Sequence, residues 1–216
     1  MDIYQLHHFD PDTPVEETLA AAEVLRAQGK VRHFGISNCT APQVRAYTSA
    51  SRTFGLPMPA THQVHYNILK RQIEHDLVPQ SEPTRPRLLA YGVLGRGVLS
   101  GKYRSGEAVP ANTRAAMSAR VQSDLQPAVL RAVAGLETLG RAAGLTLSQL
   151  ALAFVLRTAA VAIVGVRSPA QLGEVAKAGD LEPGPGFWAQ VDDFLFRTGE
   201  FPSASLGQPT LAPTLS

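Results

Sequence analysis

A single cysteine, Cys39, stands in 216 residues. No intrachain disulfide is available, and a reducing compartment is the expected setting. Aromatic side chains make up only 6% of the chain, and no basic run is interleaved with them, so the stacking-plus-charge footprint of a nucleic-acid binder is missing. Net charge is scarce too. Twenty Lys and Arg against 18 Asp and Glu leave +2, too little to argue for a polyanion or an anionic membrane surface. No apolar run approaches the roughly 20 residues that span a bilayer, and no basic-then-apolar leader opens the chain. The expectation is a cytoplasmic protein with no membrane or nucleic-acid partner. No GxGxxG opens a first βα turn and no GxxxxGK[ST] is present, which disfavours a Rossmann domain and a P-loop. His7, His8, Asp10 and Asp12 are ligand-type residues without metal-ligand spacing. His62 and His65, three apart on a strand, point to opposite faces. No metal site is expected.

What is present is a repeated alternation. Composition, 44% hydrophobic and 18% charged, suits one globular domain with a sizeable core. Five short apolar runs read as strands: Ile3–Leu6, Val31–Ile36, Ala60–Val64, Arg87–Tyr91 and Val161–Val164. At least one helix separates each from the next. Thr13 and Glu16 form a capping-box pattern with Pro14 at the first helical position, and Gln28-Gly29 closes that helix. A second helix runs from Thr40 to about Phe54, stopped by Gly55 and Pro57. A third is expected over about 69–78, followed by a Pro- and Ser-rich loop over 79–86. Residues 98–126 read as a long polar loop, a length at which loops are usually functional or mobile. Helices follow over about 127–143, 146–158, 169–178 and 187–197, the last containing Trp188. Strand, helix, strand in this order predicts an α/β fold with a parallel sheet covered on both faces. The expected organisation is one domain over 1–198 and a flexible tail over 199–216.

Six segments in order, DIYQLHHFDPDTP, QGKVRHFGISN, HQVHYN, LLAYGVLGRGVLSGKY, LTLSQLALAFVLR and IVGVRSPAQLGE, together resemble the aldo-keto reductase family from residue 2 to about residue 178. The resemblance implies a partial TIM-type (β/α) barrel in which the five strands are the fourth to eighth of the family's eight. It further implies NADP(H) lying across the carboxyl ends of the strands and carbonyl reduction by a tetrad of Asp, Tyr, Lys and His. His7 matches the tetrad histidine. The other three members belong to the first three βα units, which these residues do not match, and Tyr4 matches a different position. The expectation is an N-terminally truncated member, unable on its own to reduce carbonyls in the ordinary way.

On the cofactor side, the resemblance places Ser37, Asn38 and Gln63 on the nicotinamide carboxamide. An amide needs one donor and one acceptor, and Asn or Gln supplies both. Tyr91 matches the residue that stacks on the nicotinamide ring. Gly92 follows it on the cofactor side, and Leu94, Gly95, Gly97, Leu99 and Lys102 match the loop over the pyrophosphate, where Lys102 or Arg96 adds positive charge. Gly165, Arg167, Ser168, Gln171 and Glu174 match the adenosine-phosphate segment, with Arg167 at a helix start opposite a 2′-phosphate. Two positions depart from the family: Gly92 stands where serine is common, and Val175 where asparagine is usual. Each residue also has a plainer reading. His7 fits a core histidine, Asn38 a helix or turn cap, Gln63 a buried backbone partner, Tyr91 ordinary core, the glycines turn punctuation, and Arg167 a solvated helix start. Three functions stay open: an NADP-dependent reductase acting on a small molecule with a partner, a non-redox enzyme with His7 as general acid or base, and a non-catalytic nucleotide-binding subunit like the relatives that accompany membrane channels. A sheet of five strands leaves two edges bare, so a homo-oligomer or a covering partner chain is expected.

Overall fold

The computed structural model describes residues 1–78 and 86–198. In chain order the elements are β1 (Ile3–Leu6), α1 (Val15–Ala27), β2 (His33–Ser37), α2 (Ala41–Phe54), β3 (Thr61–His65), α3 (Ile73–Asp76), β4 (Arg87–Tyr91), α4 (Arg114–Met117), α5 (Ala119–Ser123), α6 (Pro127–Ala142), α7 (Leu147–Leu156), β5 (Val161–Ala162), α8 (Pro169–Ala176) and α9 (Phe187–Arg197). The strands form one parallel sheet in the order β1-β2-β3-β4-β5. The expected α/β fold and its strand count therefore hold. The loop expected at 79–86 falls almost entirely outside the described residues, and the tail from Gly199 wholly so.

Several boundaries differ from the sequence reading, each for a local reason. The Thr13 hydroxyl donates to Asp10 Oδ2 at 2.8 Å instead of capping α1, and Pro14 stands one position before the helix. The helix expected from about residue 69 starts only at Ile73. The Asn67 carboxamide oxygen takes the N–H groups of Leu69 and Lys70, both at 3.0 Å, and this Asx-type turn occupies the backbone first. Residues 98–126 are not a plain loop: a 3₁₀ turn over Gly95–Ser100 and the short helices α4 and α5 lie within or across them. The last strand keeps two of its four expected residues. By contrast, α7 and α8 are each capped by a side chain at the start expected for them. Thr146 and Gln149 bond reciprocally at 3.0 and 3.2 Å, and Ser168 Oγ accepts from Gln171 N–H at 3.3 Å.

The chain divides into two compact units. The first holds Met1–His65, Gln72–Tyr91 and Ala159–Val161. In it β1 to β4 pair in parallel, with Gly35 opposite Thr61, Ser37 opposite Gln63 and His65 opposite Tyr91. Strand alternation then sends Gly35, Ser37, Thr61, Gln63, His65 and Tyr91 to one face and Phe34, Ile36, His62 and Val64 to the other. Leu19 and Ala22 of α1, Phe34 and Ile36 of β2, Cys39, and Tyr47 of α2 make the core on that second face. Burial removes roughly 2 kcal/mol worth of apolar surface from water for each large side chain there. It also raises the Tyr47 phenol above its ordinary pKa, with Cys39 and Asp10 adding to the shift.

The second unit holds Tyr66–Arg71, Gly92–Thr158 and the described part of Ala162–Ser216. Beyond its capped first turn α7 is apolar and buried, with Leu150, Ala151 and Val155 at 0% exposure. α9 lays the Phe194 ring directly on Gly135 of α6: a β-carbon there would lie 2.0 Å from Phe194 Cζ and 2.5 Å from Cε2. A helix-interior glycine ordinarily costs about 1 kcal/mol against alanine, so Gly135→Ala improves propensity while removing the seat of the ring. Overpacking of about 1–3 kcal/mol outweighs that gain. A melting temperature lowered by several degrees is the expected result, and that loss should vanish when Gly135→Ala is compared with Gly135 in a Phe194→Ala background.

Candidate functional site

At the carboxyl ends of β2, β3 and β4 the first unit gathers Ser37, Asn38, Gln63, His65 and Tyr91. Asn38 follows β2 in the left-handed region, φ 55°, which asparagine tolerates better than other side chains. Its amide N–H and the Ser37 hydroxyl both donate to the Gln63 carbonyl at 3.0 Å. The side chain of Asn38 reaches in the other direction. Its Nδ2 donates to the His7 carbonyl at 3.0 Å and to Ser37 Oγ at 3.1 Å, and its Oδ1 accepts from Tyr91 Oη at 2.8 Å. The His7 carbonyl can only accept, which fixes the amide's orientation and makes Tyr91 the donor. The Tyr91 ring stacks on His65 with centroids 5.0 Å apart and planes 13° from parallel.

Three of the expected nicotinamide residues, Ser37, Asn38 and Tyr91, thus form one closed hydrogen-bonded group. Gln63 stands beside it, and its side-chain amide makes no hydrogen bond among the described residues. His7 lies just beyond β1, exposed, with its ring stacked on His8 at 4.2 Å. It joins the group through its backbone carbonyl, not its imidazole.

On the opposite face of β3, His62 is buried and its Nε2 accepts the Cys39 N–H at 3.2 Å. Burial pushes the imidazole down to about 4. Cys39 is buried beside it, and burial pushes the thiol up to about 11. A thiol in that state is a core group, not a nucleophile. Among the described residues no group of three His, Cys, Asp or Glu is arranged to hold a metal ion.

The residues matched to the cofactor's phosphates lie in the second unit. Gly92, Gly95, Arg96, Gly97 and Gly101 all have positive φ, from 53° to 103°. Arg96 sits at φ 55° between two glycines, and its guanidinium pairs with Asp124 at 3.0 Å. Lys102 lays its ammonium over Gly97: a β-carbon there would lie 2.7 Å from Nζ. Leu99 is buried and Leu94 half-buried, so this turn is anchored by its apolar members. At the other segment Gly165 and Arg167 are exposed, Ser168 caps α8, and Gln171 Oε1 accepts the Arg167 N–H at 2.8 Å. Glu174 is engaged by the Thr146 hydroxyl at 2.7 Å, so it ties α8 to the start of α7. The Arg167 guanidinium makes no ion pair among the described residues.

The sequence reading missed the stack of His65 on Tyr91 and the bond from Cys39 to His62. It placed the two histidines on opposite faces, as found. Their partners depend on which residues the strand register sets opposite each other, and local periodicity carries no signal for that.

Parallel strands alternating with helices, with amide and aromatic groups collected at the strands' carboxyl ends, define an α/β protein of the (β/α)-barrel type. The model for the aldo/keto reductase family matches residues 1–195. The chain belongs to the aldo/keto reductase family. It is 31% identical over 189 residues to a probable voltage-gated potassium channel subunit beta of Arabidopsis thaliana, covering 85% of this chain and 57% of that protein. It is 34% identical over 184 residues to the protein tas of Escherichia coli, covering 84% and 53% respectively. A solved glycerol dehydrogenase of Gluconobacter oxydans superposes with a TM-score of 0.77 at 27% identity, over 96% of this chain and 62% of that one. The chain spans about half the length of the curated relatives it matches.

Proposed function

We propose that this oxidoreductase-family chain binds NADP(H), with the Gln63 side chain holding the nicotinamide carboxamide. The observation that carries this reading is the contrast within the strand-end cluster. Ser37, Asn38 and Tyr91 satisfy one another, whereas Gln63 leaves both a donor and an acceptor open beside them. That pairing is what a primary carboxamide needs, so the residues present fit the group. Tyr91, pinned at its hydroxyl and backed by His65, is a fixed aromatic surface. The second unit, taken by itself, carries an exposed Arg167 guanidinium, and a guanidinium suits a phosphate; the preference for the 2′-phosphorylated cofactor rests on that residue type alone.

When bound, a nicotinamide supplies hydride transfer. This chain's own residues orient the carboxamide and hold the aromatic wall, and none of them is a matched proton donor to a carbonyl. The reading therefore assigns nucleotide binding to these 216 residues and leaves ordinary carbonyl reduction to an arrangement that also supplies the family's Asp, Tyr and Lys.

Fluorescence titration with NADPH and NADH tests it. NADPH is expected to bind more tightly than NADH. Gln63→Leu weakens NADPH by at least tenfold, about 1.4 kcal/mol, while His7→Ala leaves it unchanged because His7 contributes only its backbone. Equal affinity of wild type and Gln63→Leu would remove the reading. A second reading, a nucleotide-binding subunit without turnover, is favoured by the match to the potassium channel subunit beta along most of this chain. Its mark is NADPH binding with no oxidation of the cofactor over a panel of aldehydes and ketones.

A further inference from the structure

β3 sends one histidine to each face of the sheet, and the one on the far side from the amide cluster still reaches it. His62 is 1% exposed, and its Nε2 accepts the Cys39 N–H at 3.2 Å. A ring nitrogen that accepts carries no proton, so the His62 proton resides on Nδ1. Cys39 directly follows Asn38, the left-handed residue whose side chain joins the His7 carbonyl to the Tyr91 hydroxyl. β3 thus grips both backbone amides of this turn. The Asn38 N–H goes to the Gln63 carbonyl at 3.0 Å and the Cys39 N–H to the His62 ring. One anchor is a carbonyl that cannot titrate; the other is an imidazole that can.

We propose that His62 is a positioning residue for the strand-end cluster: its unprotonated ring locks the left-handed turn at Asn38, and its protonation releases the turn and with it the Asn38–Tyr91 bond. In the imidazolium both ring nitrogens are donors, so the Cys39 N–H would face another N–H and lose its acceptor in a buried place. The neutral form is favoured by burial, which holds the ring near 4. The other buried ionisable groups of this unit are Cys39, Tyr47 of α2 and Glu74 of α3; burial, and none of these, keeps His62 unprotonated. The sign follows from linkage. An unfolded histidine takes up its proton near pH 6.5, whereas His62 in place takes it up only near 4. The contribution is complete above about pH 6.5 and is lost as the pH falls toward 4. Only the ligand arm of the test below rests on the nicotinamide reading.

Amide hydrogen exchange read by ¹H–¹⁵N NMR tests the proposal, with Ile36 in β2 as internal reference. In the wild type the Cys39 amide is protected at neutral pH, and its protection relative to Ile36 is expected to fall at least tenfold as the pH approaches 4. His62→Gln places a non-titrating acceptor near the position of Nε2, so it keeps the protection and removes the pH step. His62→Leu has no acceptor and loses Cys39 protection at every pH. Retained Cys39 protection in His62→Leu, or an unchanged pH step in His62→Gln, overturns the proposal. If the leucine variant does not fold, the wild type and the glutamine variant decide between them. NADPH titration runs alongside: its affinity should fall with the same pH step in the wild type and stay level in His62→Gln. Absence of NADPH binding in every variant at neutral pH ends the nicotinamide reading, and the exchange data still decide the role of His62.

Discussion

Gly35→Ala is expected to destabilise the protein by about 3 kcal/mol, the upper part of the range for overpacked cores. A β-carbon at Gly35 would lie 2.3 Å from Thr61 Oγ1, 3.3 Å from the Thr61 carbonyl oxygen and 3.4 Å from Ile3 Cγ2. Threonine is branched at Cβ and stiff at χ1, so its hydroxyl cannot simply swing aside. Alanine also lowers the entropy of the unfolded chain, which returns about 0.5–1 kcal/mol and does not cover the clash. Thr61 Oγ1 is itself buried without a hydrogen-bond partner. Thr61→Ala therefore removes an unsatisfied polar atom along with a methyl group and is expected to be near neutral. The two changes should couple strongly, with the Gly35→Ala/Thr61→Ala double variant returning to within about 1 kcal/mol of the wild type. Urea unfolding of the four proteins measures the cycle. Additive losses would show that the tight approach of β2 to β3 lies elsewhere.

Removing the carboxylate of Asp192 is the second change with a large expected effect. Arg71 is a charged residue in the interior of the second unit, its side chain 2% exposed, and its Nη1 stands 2.6 Å from Asp192 Oδ1. Its guanidinium also lies over the Phe154 ring at 4.9 Å from the centroid. Asp192 is 28% exposed, so part of its charge is already solvated and the pair is worth less than a fully buried one. Asp192→Ala takes this carboxylate away from an arginine that stays buried against the Phe154 ring. About 3 kcal/mol should be lost, at the low end for breaking a buried pair. Arg71→Met should cost less at this pair, although it removes the larger side chain, because the Asp192 carboxylate reaches water and methionine packs against Phe154. That order of the two variants in thermal or denaturant melts is the discriminating result. The reverse order would mean that packing by the arginine stem, not its charge, is what α9 depends on.

Much of the fold was legible because it rests on local chemistry. β1, β4 and α9 begin and end where read, and Gly29, Gly55, Thr146 and Ser168 cap helices as their types require. The misses have physical causes of the same kind. Asp10 and Asn67 captured nearby groups and displaced a cap and a helix start. The polar stretch after Gly97 concealed two short helices whose few buried positions, such as Ala115 and Val121, are too far apart to show periodicity. At the candidate site, residue identities were legible and their states were not. Asn38, Ser37 and Tyr91 were each marked for a ligand, yet their side chains bond to one another and to the His7 and Gln63 carbonyls. Glu174 was marked for adenosine and holds Thr146.

The sequence by itself determined the alternation of strands and helices, the family, and which side chains stand at the strand ends, since periodicity, caps and motif order are properties of neighbours along the chain. Only the tertiary structure decided that Gln63 is the open amide, that His65 backs Tyr91, and that His62 grips the turn at Asn38 from behind. Those facts depend on register. In a parallel sheet the residue facing Tyr91 or Cys39 comes from another strand, and a shift of one residue would turn each of these side chains to the opposite face.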